Sequence, residues 1–62
     1  MKKSEYMNKH GLTLRKVTAE DREAAKTDYQ RTADYIISNG KEEFFSRNGS
    51  LKDMKDIVKW SR

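Results

Sequence analysis

Residues 18–39 lie within the longest run of the chain free of Gly and Pro, which Gly40 closes. At about 100° per residue, Ala25, Tyr29, Thr32, Ala33 and Ile36 fall on one stripe, with Ile37 at its edge. Arg22 and Lys26 thin the stripe at its start, where their aliphatic stems can cover apolar neighbours while the charges reach water. Glu20, Glu23, Thr27, Arg31 and Asp34 occupy the opposite face. Thr18 is a suitable N-cap, and Asp21 three residues later gives a Thr-x-x-Asp capping box. Asn39-Gly40 supplies the residue that ends a helix in the left-handed conformation. This pattern predicts a helix over 19–38.

Two further helices follow from the same logic. Residues 41–47 contain the adjacent aromatics Phe44 and Phe45, which on a helix point about 100° apart and can meet different partners. A continuous helix over 19–47 through Gly40 is the rival reading, at about 1 kcal/mol relative to Ala. Asn48-Gly49 repeats the helix-ending chemistry, and Ser50 with Asp53 caps a helix over 51–61. On that helix Leu51, Met54, Ile57 and Val58 form an apolar arc. Lys52, Lys55, Lys59 and Arg62 form a basic arc, and Trp60 falls with Asp53 and Asp56 on an acidic one.

The N-terminal residues 1–17 read as a basic arm or short helix, Ser4 to His10, followed by an extended connector. Leu12, Leu14 and Val17 pin the connector to the helices, because a lone β-segment would have no partner within an otherwise helical chain. The predicted fold is all-α: a small three-helix domain over 18–62 behind a basic, partly extended N-terminal segment. Its core is Tyr29, Ala33, Ile36, Phe44, Leu51, Met54 and Val58.

Composition narrows the function classes. Sixty-two residues form one small domain, with 34% apolar and 39% charged residues and no cysteine or proline. A chain of this size buries only about 60% of its unfolded surface, so its stability is marginal. Disulfides, zinc–thiolate sites and thiol chemistry are excluded. No apolar run reaches membrane-spanning length, so no membrane partner is expected and a cytoplasmic location is the default. The net charge of +4 is uneven. Residues 1–17 carry five basic residues against one acidic, 18–40 three against five, and 41–62 six against four. Basic ends around an acidic middle point to an acidic partner, protein or nucleic acid.

No constellation for catalysis is visible. His10 is the only histidine, with no serine or carboxylate marked as its partner. The carboxylate pairs Asp53/Asp56 and Glu42/Glu43 are too sparse for a calcium site, and the glycines are too scattered for a phosphate loop. No cofactor is expected, and the chain is expected not to be an enzyme. The favoured function is a small regulatory or inhibitor-type protein that binds an acidic surface of a protein partner. Its contacts are Tyr35, Trp60, Lys52, Lys55, Lys59 and Arg62, residue types common at binding hot spots and their charged rims. A homo-oligomer is compatible with this reading. The alternative is a helix-turn-helix-like DNA binder built from 41–47 and 51–61, with a basic arm. Its phosphate contacts would come from Lys2, Lys3, Lys9, Arg15, Lys16, Lys52, Lys55 and Lys59.

Overall fold

The apolar runs around Leu14, Ile36–Ile37 and Phe44–Phe45 lie side by side as strands. The computed structural model describes residues 2–61. Helix α1 (Lys3–His10) leads into strand β1 (Thr13–Lys16), then two short helices α2 (Ala19–Ala24) and α3 (Asp28–Thr32). Strands β2 (Tyr35–Ser38) and β3 (Glu43–Ser46) and helix α4 (Leu51–Trp60) complete the chain. The sheet is antiparallel in the order β1-β2-β3. The register aligns Leu14, Ile37 and Phe44 in one row and Arg15, Ile36 and Phe45 in the next. Successive side chains leave a strand on opposite faces, so the two rows serve different faces of the sheet.

The fold is therefore mixed α/β, and the all-α three-helix expectation is overturned. Tyr35, Ile36 and Ile37 are aromatic and β-branched, as are Phe44 and Phe45 in part, and such residues fit a pleated, half-buried surface. Between them Asn39-Gly40 forms a hairpin turn, where a helix stop was expected. The Asn39 N–H donates to the Glu42 carbonyl at 3.2 Å. Asn39 Oδ1 accepts from the N–H groups of Lys41 and Glu42 at 2.9 and 2.8 Å. Gly40 has φ 90° while Lys41 keeps φ negative. Positive φ at the first central residue alone is the pattern of a two-residue hairpin loop that glycine favours. The segment expected as helix 41–47 is thus β3. β1 finds the partner it was expected to lack, because β2 occupies what was expected to be the last turns of a helix.

The predicted 19–38 helix is broken at its middle. Thr18 caps α2 through the expected box, with the Asp21 N–H donating to Thr18 Oγ1 and the Thr18 N–H to Asp21 Oδ2. Ala25 then turns extended. Thr27 starts a new helix: its hydroxyl accepts from the Gln30 N–H at 3.1 Å, and Gln30 Oε1 accepts from the Lys26 N–H at 2.7 Å. Thr-x-x-Gln is itself a capping-box spacing, so the chain restarts a helix there. Ala33 is extended again and feeds β2.

The main core is Leu12, Ile37, Met54 and Ile57, with Tyr6, Met7, Leu14, Phe44 and Val58 packed against it. Both longer helices, α1 and α4, cover this face. Lys3 Nζ donates to the Gly49 carbonyl near the start of α4, while His10 and Leu12 share a hollow with Val58 and Ser61 near its end. The two helices therefore run side by side in the same direction. The opposite face of the sheet buries Ile36 and Ala33 and carries α2 and α3. Of the expected core, Ala33, Ile36 and Met54 are buried, and Phe44, Leu51 and Val58 are partly so. Tyr29 is not a core residue: it is 43% exposed. No helix among the described residues is long and apolar enough to cross a membrane.

Candidate interaction surface

The ion pairs among the described residues lie on the α2/α3 side of the molecule. On the α2/α3 side each arginine of the ion pairs has a carboxylate. Arg15 holds Asp21 at 2.6 Å and Glu43 at 3.3 Å, Arg22 holds Asp34 at 3.6 Å, and Arg31 pairs with Asp28. The Arg15 guanidinium, followed by the Thr18 N–H, keeps the Asp21 carboxyl well below the usual carboxylate range. The same contacts, Asp21 first, raise Arg15 above its ordinary value.

The lysines of α4 behave differently. Lys52, Lys55 and Lys59 are exposed. Among the described residues none of them enters an ion pair. Met54 and Ile57 anchor the helix to the sheet, which turns the three lysines outward as a row. Lys2, Lys9 and Lys16 are also exposed. Lys3 is tied to Gly49, and Arg15 is engaged by two carboxylates. Arg62 lies outside the described residues.

Trp60 is the most exposed large apolar residue, at 68%. Tyr6 and Met7 pack on the main core, and Trp60 lies instead beside Tyr29 and Phe45. These three aromatics share two adjoining depressions. An inner one of about 80 Å³ also touches Asp53 and Ile57. An outer one of about 340 Å³ also touches Gln30, Glu43 and Phe44. The resulting cleft runs along the outer edge of β3. Arg47 closes one end, with its guanidinium 5.3 Å from the centre of the Tyr29 ring, within range of a cation–π contact.

Tyr35, expected as a contact residue, is half-buried in the central strand. It packs at Gly49, where a Cβ would lie 3.3 Å from the Tyr35 ring. The structure thus places Lys52, Lys55, Lys59 and Trp60 on α4, and Tyr35 on β2. Tyr29, expected in the core, lies at the surface, and of the two adjacent aromatics Phe44 packs on the main core while Phe45 lines the cleft. The Thr27-x-x-Gln30 box places Tyr29 on a short surface helix, and the Asn39-Gly40 hairpin places Phe45 on an edge strand.

The His10 ring tilts against Tyr6 with centroids 4.4 Å apart. Among the described residues no three His, Asp or Glu side chains converge as a metal site requires. The helix-turn-helix geometry needs a helix at 41–47, and that segment is β3. Comparison with protein families, characterised proteins and solved structures finds no match to this chain.

Proposed function

We propose that this chain is a small, non-enzymatic, cytoplasmic regulatory protein that binds an acidic surface of a protein partner. The contact face is the outer side of α4. The observation that carries this reading is Trp60, 68% exposed on the same helix as three lysines that enter no ion pair among the described residues. A large exposed aromatic bordered by charge is the composition of a binding hot spot and its rim. The exposed lysine row supports it further, because complementary fields speed and orient encounter with an acidic surface.

The test is capture of partners from a lysate, with and without nuclease, followed by affinity measurements on the captured partner. Trp60→Ala is expected to weaken that complex by about 2 kcal/mol or more, as hot-spot residues do. Joint replacement of Lys52, Lys55 and Lys59 by Glu is expected to slow association. Capture that nuclease treatment abolishes would assign the lysine row to nucleic acid instead.

A further inference from the structure

The edge of β3 is an unfinished sheet. Its hydrogen-bonding parity follows from the turn. Asn39 and Glu42 form a hydrogen-bonded pair in the β2–β3 register, and such pairs alternate along an antiparallel ladder. Phe44 and Ser46 therefore turn their backbone groups towards β2. Glu43 and Phe45 turn theirs outward, and Arg47 follows at the end of the strand. Among the described residues the backbone N–H and C=O groups of these three have no partner. Edge strands exposed in this way are templates for pairing with another chain. Here the edge runs through the cleft lined by Tyr29, Phe45 and Trp60.

From this parity and the charges along the edge we propose that β3 pairs antiparallel with β3 of a second copy, around a twofold axis at Phe45. Outward groups can pair only with outward groups, so the residue numbers of opposed residues must sum to an even number. Centring the axis on Phe45 sets Phe45 against Phe45 of the second copy. It also sets Glu43 against Arg47 of the second copy, and Arg47 against its Glu43. Both pairs join opposite charges on the face that carries the Phe45 rings. Centring the axis on Phe44 sets Glu43 against Phe45 and loses both charge pairs. Glu43 also meets Arg15 and Arg47 also lies over the Tyr29 ring, but Glu43 is 57% exposed and Arg47 is exposed, so both remain accessible from the edge. The other free edge, β1, carries Arg15 and Lys16, and lysine on an edge discourages self-pairing. A six-stranded sheet results, with the Phe45 residues of both copies at its centre. The lysine row points away from the cleft, so each dimer presents two such rows. This inference goes beyond the reading of α4 and does not depend on it.

The experiment is sedimentation equilibrium across a concentration series. The wild-type chain is expected to dimerise reversibly. Arg47→Glu places like charges opposite each other at both ends of the pairing and is expected to weaken self-association about tenfold, from two cross-strand pairs changed at once. Glu43→Arg combined with Arg47→Glu restores opposite charges and is expected to recover the dimer. The chain has no cysteine, so Phe45→Cys supplies a single thiol at the axis. Mild oxidation is expected to cross-link it into dimers, while Phe44→Cys, which faces the core, does not cross-link. A wild-type chain that stays monomeric at every concentration overturns the proposal, even if it binds an extended peptide at β3. Equal self-association of wild type and Arg47→Glu overturns it as well.

Discussion

The Ser46 hydroxyl donates to Asp53 Oδ2 across 2.5 Å and accepts from the Gly49 N–H at 2.9 Å. Ser46 is fully buried in β3, and Asp53 sits in the first turn of α4 with its own N–H on the Ser50 cap. One side chain thus fixes the angle at which α4 leaves the sheet. Ser46→Ala leaves the Gly49 N–H and one Asp53 oxygen without a protein partner. The expected loss is about 1–3 kcal/mol, the usual penalty for an orphaned buried group. About 1 kcal/mol moves the midpoint of so small a domain by about 4–8 °C, so thermal melting reads it directly. An unchanged melting temperature would sink this account.

Gly49 is constrained twice. Its φ is 59°, and a Cβ there would stand 2.9 Å from Leu14 Cδ1. Gly49→Ala is expected to cost about 1–3 kcal/mol from the left-handed backbone, with more if Leu14 cannot yield. Gly11 also has positive φ, 64°, but nothing lies within 4 Å of a Cβ there. Gly11→Ala should be the milder of the two in denaturant titration. The reverse order would contradict the close approach at Gly49.

Acid should remove one specific stabilisation. The Asp21 carboxyl is held well below its usual range, first by Arg15 and then by Thr18. A carboxyl lowered in the folded state stabilises above its unfolded value, near pH 4, and loses that contribution as pH falls towards the folded value. Wild type should therefore exceed Asp21→Asn in stability at neutral pH, and the gap should narrow below about pH 4. Arg15 is 43% exposed, so added salt should also narrow the gap. Denaturant midpoints at neutral and acid pH test this. A gap independent of pH would mean that the contact contributes nothing through ionisation.

Ile37 and Tyr29 provide a contrast between core and surface. Ile37 is fully buried, in the row between Leu14 and Phe44. Ile37→Ala should cost about 2–5 kcal/mol, enough to unfold a marginal domain. Tyr29→Ala, from a residue outside the core, should cost far less. Comparable losses at the two positions would place Tyr29 in the core after all.

The sequence was most legible where one local signal was long or complete. The ten residues of α4 carry a wide apolar arc behind a Ser-x-x-Asp cap, and α2 begins at its capping box. The strands were illegible because each is four residues long, too short for period two to be told from period 3.6. Ile36 and Ile37 fit the edge of a helical stripe as well as the two faces of a strand. A helical stripe therefore continues on paper across the helix start at Thr27 as far as Asn39-Gly40, whose chemistry suits a helix stop as well as a hairpin turn. The surface suffered differently. Trp60 and the α4 lysines follow from a helical wheel, but the β3 cleft exists only once the hairpin is formed.

The long connection between β1 and β2 bears on the order of assembly. β2, β3 and α4 are joined by the Asn39–Glu42 turn and the Ser46–Asp53 bond, both close in sequence. β1 reaches β2 only when residues 17–34 are looped out, with Val17 N–H donating to the Asp34 carbonyl. That closure costs entropy, and α2 and α3 are too short to persist alone and offset it. The hairpin and α4 should therefore nucleate, with β1 and α1 docking after the rate-limiting step. Leu12→Ala is then expected to speed unfolding while leaving refolding nearly unchanged, and Ile57→Ala to slow refolding. The two arms of a denaturant chevron separate these effects.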